Sequence, residues 1–244
     1  MNTLDRKAEL AANLAAVEER IAAACRAAGR ARDDVKLIAV TKTFPASDAA
    51  LLADLGVTDL GENRDQDAGP KTVEVAGLRP GATLRWHMVG RLQRNKARSV
   101  VEWAQEVQSL DSARLADALA KAVRAARDAQ IRDEPLDVLI QASLDDDPER
   151  GGCPLDELGA LAERVTHMGE LRLRGLMAVA PLGADPSEAF ERLARAGERL
   201  REDHPNAAEV SAGMSHDLEQ AITHGSTCVR VGTALLGGRG LASP

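Results

Sequence analysis

The sequence predicts an α/β fold, a single (β/α)8 TIM barrel with an extra N-terminal helix, and three observations carry that expectation. The chain has 244 residues, close to the about 250 that such a barrel takes as one domain. Strand-like and helical segments alternate along it, as a parallel sheet requires, and eight strand segments is the number that closes into a barrel. No GxGxxG follows the first strand, which weakens the alternative of an open doubly wound sheet; the one glycine cluster, Gly237, Gly238 and Gly240, lies near the end. No linker, internal repeat or low-complexity tract divides the chain, so residues 1–244 read as one domain, with a helix in 1–29 and the barrel in 35–240.

The elements follow in order. Leu10, Leu14, Val17 and Ile21 recur at helical spacing, so residues 3–28 form an amphipathic helix closed by Gly29. The first strand is VKLIAVTKTFP at 35–45, an apolar run that stops abruptly at Thr41, Lys42 and Thr43. Ser47 and Asp48 offer N-cap oxygens to a helix reaching about residue 55, where Gly56 ends it. TDLGEN, ending at Asn63, is the second strand, and LRWHMVG at 84–90 is the third, followed by a helical QRNKARSVVEWA. EVQSLD at 106–111 precedes a helix over 112–129, in which Leu115, Leu119, Ala122 and Ala126 share a face. PLDVLIQAS at 135–143 leads through a polar loop, DDDPERGG, to a helix over 154–168. LRLRGLMAV at 171–179, a helix over 186–202, EVSAGM at 209–214, the helical SHDLEQAITHG and a last strand CVRVGTALLG at 228–237 complete the series.

Composition excludes several classes. A net charge of −7 and an aromatic content of 2% argue against a protein that neutralises nucleic-acid phosphates or stacks bases. The charged start MNTLDRKAEL lacks a secretory apolar segment and no stretch approaches the ~20 apolar residues of a membrane span, so a cytoplasmic chain with no membrane partner is expected. Cys25, Cys153 and Cys228 are odd in number and form no CxxC pair, which points to reduced structural thiols. The five histidines include no HxxxH pair and none sits at ligand spacing with a cysteine, so no metal site is expected. There is no tyrosine.

In a barrel the informative positions are the carboxyl ends of strands. Thr41 and Lys42, Glu62 and Asn63, His87, Met177, the segment from Ser211 to Ser215, and the segment from Arg230 to Thr233 fall there. An ammonium at the end of a buried strand needs a partner, an exit to water or a chemical use; emergence into solvent is the ordinary reading of Lys42. Ser211, Gly213, Met214 and Ser215, with Gly232 and Thr233 on the adjacent strand, place small residues and hydroxyls where barrels often carry a phosphate. Glycines that merely serve turns explain either segment alone, but not both in the expected pair of loops. A lysine facing such a cradle suggests a phosphorylated aldehyde held as an imine, and pyridoxal 5′-phosphate (PLP) fits.

The segments VTKTFP at 40–45, GEN at 61–63, WHMVGRLQRNK at 86–96, RGLMA at 174–178, SAGMSHD at 211–217 and VRVGTALLG at 229–237 resemble, in order and spacing, the pyridoxal phosphate homeostasis proteins of the YggS and PROSC type. The resemblance implies a barrel like the amino-terminal domain of alanine racemase, with PLP as a Schiff base on Lys42. It implies that Ser211, Gly213, Met214, Ser215, Gly232 and Thr233 hold the phosphate. Arg230 would then face the pyridine nitrogen, and Asn63, His87 and Met177 would line the ring pocket. It further implies a monomeric, non-catalytic carrier that influences the supply of B6 vitamers, with other vitamers and apo-forms of PLP enzymes as partners. The chain departs from the family pattern at Arg64, Asp65, Gln66 and Asp67 and in the loop 147–152, both at the expected mouth. The basic segment Arg91, Arg94, Lys96 and Arg98 nearby reads either as a solvated face or as an anion-steering one. Two rivals remain open: a racemase-like PLP enzyme, which would need a second acid/base opposite the lysine, and a cofactor-free lyase using Lys42 directly.

Overall fold

Apolar period and punctuation set the elements, and a computed structural model describes residues 3–145 and 151–238. The strands are β1 (Lys36–Val40), β2 (Asp59–Glu62), β3 (Arg85–Met88), β4 (Glu106–Leu110), β5 (Leu136–Gln141), β6 (Leu171–Met177), β7 (Glu209–Ser211) and β8 (Cys228–Val231). Each pairs in parallel with its sequence neighbours, and β8 closes onto β1 with Ile38 opposite Arg230. Among the described residues the α-helices are α1 (Thr3–Ala27), α2 (Ala46–Asp54), α3 (Asp65–Leu78), α4 (Ala97–Trp103), α5 (Ala113–Asp128), α6 (Leu158–Thr166), α7 (Pro186–Asp203), α8 (Leu218–Thr223) and α9 (Thr233–Leu236). The closed eight-stranded barrel with a preceding helix is the architecture the alternation predicts.

Period two along each strand separates two environments. On β1, Leu37 and Ala39 face outward into the main apolar cluster with helix residues such as Leu52, Leu119 and Val165. Ile38 and Val40 face inward, where a Cβ on Gly61 would meet both side chains. The α5 face of Leu115, Leu119, Ala122 and Ala126 is buried as its spacing requires. Gly175 is demanded by a register shift between β5 and β6: its φ is +152°, and a Cβ there would lie 1.8 Å from the Glu209 carbonyl oxygen.

Four boundaries differ from the sequence reading. Helix α2 begins at Ala46 after Pro45, and Asp48 does not cap it but accepts two hydrogen bonds from Arg6, at 3.1 and 2.6 Å. Residues 65–78, left undivided by the sequence, form α3. Helix α6 begins four residues after Pro154, beyond a turn. The last strand ends at Val231, and Thr233–Leu236 turn into α9. Helix α1 ties this end down: Asn13 donates to the Leu235 carbonyl at 3.0 Å, Arg6 donates to the Leu236 carbonyl at 3.0 Å, and Arg20 forks onto Glu219 at 2.7 and 2.9 Å. All three cysteines are buried and unpaired.

Candidate functional site

At the carboxyl end of β1 the chain leaves the barrel in a tight turn. The Phe44 amide donates to the Thr41 carbonyl at 3.1 Å, and Thr43 takes a φ of +67°, a left-handed conformation uncommon for a β-branched residue. Thr41 is anchored from outside the barrel. Its hydroxyl donates to Glu62 Oε1 at 2.6 Å, and buried Lys71 donates to that same oxygen at 2.6 Å and to the Thr41 carbonyl at 2.9 Å. The strained turn on this anchor presents Lys42 to a cleft of about 580 Å³. Its apolar wall includes Val40, Phe44, Val89 and Val179, and Asn63 and Gly90 lie beside them. Gly90 is sterically required, because a Cβ there would lie 2.3 Å from the Asn63 carbonyl oxygen.

Beside the β1 turn stand the loops after β7 and β8, since β8 pairs with β1. Gly213 has a φ of +94°, and a Cβ on it would lie 2.7 Å from that of Ala221, so only glycine makes the turn. The Met214 amide donates to Asp217 at 2.6 Å, and the Ala234 amide donates to the Ser215 hydroxyl at 3.2 Å, which joins the two loops. Met214, Ser215, His216, Gly232 and Thr233 line the cleft here. Thr233 opens α9, where the first amides lack intrahelical acceptors.

Arg230 forms the deep end. It is 4% exposed, lines the cleft, and donates to the Ser211 hydroxyl at 2.6 Å and the Ala178 carbonyl at 2.8 Å. Both partners are neutral, and burial pushes its pKa below the usual guanidinium value, although the group stays charged. Beneath it runs a polar column along the barrel interior. Ser211 donates to Gln108 Oε1 at 2.7 Å, Gln108 donates to Glu106 Oε1 at 2.7 Å, and His87 bridges Glu106 and Asp59 at 2.9 Å each. Arg85 donates to the other Glu106 oxygen at 3.1 Å.

Lys42, Asn63, Met214, Ser215, Arg230, Gly232 and Thr233 are thus brought together around one cleft. His87 is not. It is fully buried, with both ring nitrogens engaged by carboxylates at the amino ends of β2 and β4, so its inward-pointing ring lies below the cleft floor. Met177 is buried on β6, and Val179 lines the cleft two residues later. Ser211 lies under Arg230, and Gly213 shapes the loop without lining the cleft. Thr43, Val179 and His216 are lining residues that the sequence reading missed; His216 stood inside a motif already singled out, SAGMSHD. Of the departures from the family pattern, Asp65 accepts from Trp103 Nε1 at 2.9 Å, while Arg64 and Gln66 line a smaller adjoining cleft with Arg91 and Lys96. Arg94 lines a further cleft beside Arg91, and Arg98 is exposed on α4. Residues 146–150 and Gly240 lie outside the described residues.

The donor set suits a flat heteroaromatic phosphate bearing an aldehyde. It offers an amine, small residues and hydroxyls in the loops beside it, apolar sides, and a buried cation without a carboxylate at the deep end. Among the described residues no cluster could hold a metal ion, and no helix is long and apolar enough to cross a membrane.

The family described as alanine racemase, N-terminal domain, matches residues 12–240. The pyridoxal phosphate homeostasis protein of Mycobacterium tuberculosis (strain ATCC 25618 / H37Rv) is 49% identical over 98% of this chain and 96% of its own. The structure of PipY from Synechococcus elongatus PCC7942, with PLP bound, superposes with a TM-score of 0.79 at 30% identity, covering 93% of this chain and all of PipY. Alanine racemase from Corynebacterium glutamicum, at 15% identity and a TM-score of 0.66, shares the fold over 95% of this chain and 64% of its own. The chain belongs to the pyridoxal phosphate homeostasis protein family.

Proposed function

We propose that the protein binds PLP in the cleft at the carboxyl end of the barrel and serves intracellular PLP homeostasis, holding the cofactor covalently on Lys42 without robust catalysis. PLP binding and the homeostasis role are those of the family to which the chain belongs. One observation carries the reading: Arg230 is a buried guanidinium whose hydrogen-bond partners among the described residues are neutral, and it lines the same cleft as Lys42. A buried cation left so is costly unless a ligand completes its shell, and an unprotonated ring nitrogen is an acceptor of the right kind. Bound PLP supplies an aldehyde for the amine and a ring able to draw electrons. Lys42 Nζ would hold the cofactor through that aldehyde, with loss of one water. Ser215, Gly232 and Thr233 would bind the phosphate, Asn63 and the apolar walls would orient the ring, and Arg230 would hold its nitrogen unprotonated.

The test is borohydride reduction of the purified holo-protein followed by peptide mass spectrometry. One pyridoxyl group per chain on Lys42 is expected, and Lys42→Ala should remain folded and unlabelled. Label on Lys36 or Lys96 in its place would overturn the assignment.

A further inference from the structure

The column beneath Arg230 has a direction. Glu106 receives hydrogen bonds from His87, Gln108 and Arg85, and a carboxylate so surrounded only accepts. Gln108 must therefore turn its NH2 toward Glu106 and its carbonyl toward Ser211. The Ser211 hydroxyl is then committed to donating to Gln108 at 2.7 Å, which leaves its lone pairs for Arg230 at 2.6 Å. Every member is buried: Glu106 and Ser211 at 0% exposure, Gln108 at 1% and Arg230 at 4%. In that low-dielectric interior the aligned dipoles act strongly, and each presents its negative end to the guanidinium. Among the described residues Arg230 has no carboxylate in hydrogen-bond contact; the column delivers one at two removes.

We propose that Gln108 is a positioning residue which, through Ser211, fixes Arg230 against the ring-nitrogen end of the bound cofactor and transmits the charge of Glu106 to it. This rests on the PLP reading above. Gln108 does not line the cleft; it acts by accepting the hydrogen bond from Ser211, which keeps that hydroxyl's lone pairs on the guanidinium and so holds the group in place. Without it the Ser211 hydroxyl loses its acceptor and can rotate its lone pairs away from Arg230, so the guanidinium is no longer fixed and the ring nitrogen loses a fixed partner.

The experiment uses the full chain loaded with PLP labelled with ¹⁵N in the ring. Gln108→Met keeps the volume and removes the relay, Ser211→Ala cuts the next link, and the double variant closes a cycle. Each single variant should weaken PLP by roughly tenfold or more, the loss of one hydrogen bond to a charged group. Each should also move the ring ¹⁵N resonance in the same direction, a readout that general loosening of the core does not dictate. The double variant should lose no more than the larger single, because both break one chain. Thr233→Ala, at the other end of the cleft, should add its own loss to either. Independent losses in the Gln108 and Ser211 cycle, or an unmoved resonance in Ser211→Ala, would overturn the relay even if Gln108→Met fails to fold. Wild-type protein that forms no reducible link on Lys42 would instead overturn the underlying reading, so the two failures are distinguishable.

Discussion

Ser211 and Ser215 stand four residues apart and serve different ends of the cleft. Ser215 lines it and receives the Ala234 amide at 3.2 Å, whereas Ser211 is fully buried and spends its hydroxyl on Arg230 and Gln108. Replacing Ser215 and Thr233 together by alanine should weaken PLP far more than pyridoxal, since a hydrogen bond to a charged group contributes about 1.5–3 kcal/mol. Ser211→Ala should weaken both ligands alike, because it acts at the ring end. Paired absorbance titrations with the two ligands decide it, and equal weakening of both by the Ser215 and Thr233 double variant would place the phosphate elsewhere. The sequence exposed Lys42 and the two small-residue loops because their types are out of place for a buried strand and for ordinary turns. Gln108 carried no such mark: in EVQSLD it reads as one polar residue of a half-exposed strand. His87 was misplaced for a related reason. A strand motif shows that a side chain points inward but not how far down the barrel axis it sits.

Pairing of β2, β3 and β4 brings Asp59, His87 and Glu106 into one row, in which His87 and Glu106 are buried and Asp59 half-buried. Burial alone would lower the imidazole pKa, but the hydrogen bonds with Asp59 and Glu106 outweigh it and raise His87 above its ordinary value of 6.5. Glu106 is held well below the carboxylate range, since its bonds to His87 and Gln108 overcome burial. A raised histidine stabilises the fold fully below its unfolded value of about 6.5, and that contribution is lost as pH rises through the folded value. Denaturant unfolding between pH 6 and 9 should therefore show stability falling with pH, by no more than about 1.4 kcal/mol per pH unit for one proton. His87→Gln should be less stable at pH 6 and lack that slope; a variant with the wild-type slope would dissociate the row from the effect. At this scale the long helices and apolar strands were legible because period and caps are local signals. The end of β8 was not: VRVGTALLG is apolar throughout, and a four-residue helix is too short to show a period.

The barrel sorts its interior by height. Lys36, Asp59, Arg85, Glu106, Asp137 and Glu209 lie at or near the amino ends of their strands and join in ion pairs, among them Lys36 with Glu209 and Arg85 with both Glu106 and Asp137. In the sequence each looks like a strand emerging into water, and only closure of the barrel gathers them into one charged layer, in which Glu106 and Asp137 are buried; the alternation that announces the barrel is local, whereas its charged floor is not. The upper end is left with few groups that can move a proton. Of the described residues lining the main cleft, Lys42 and His216 carry an amine and an imidazole, and Arg230 stays charged and cannot accept a proton. Withdrawal of electrons by a bound pyridine ring is strongest when its nitrogen is protonated beside a carboxylate, and Arg230 offers the opposite environment. All 244 residues contain no tyrosine to act across from the lysine. Amines should therefore exchange on the cofactor while the α-proton of an amino acid stays in place. Incubating the holo-protein with alanine in D₂O and following the α-proton by NMR measures this directly, with exchange expected to stay near that of free PLP. Exchange faster by several orders of magnitude and abolished in Lys42→Ala would make the protein an enzyme, and loss of that exchange in His216→Ala would name the second base.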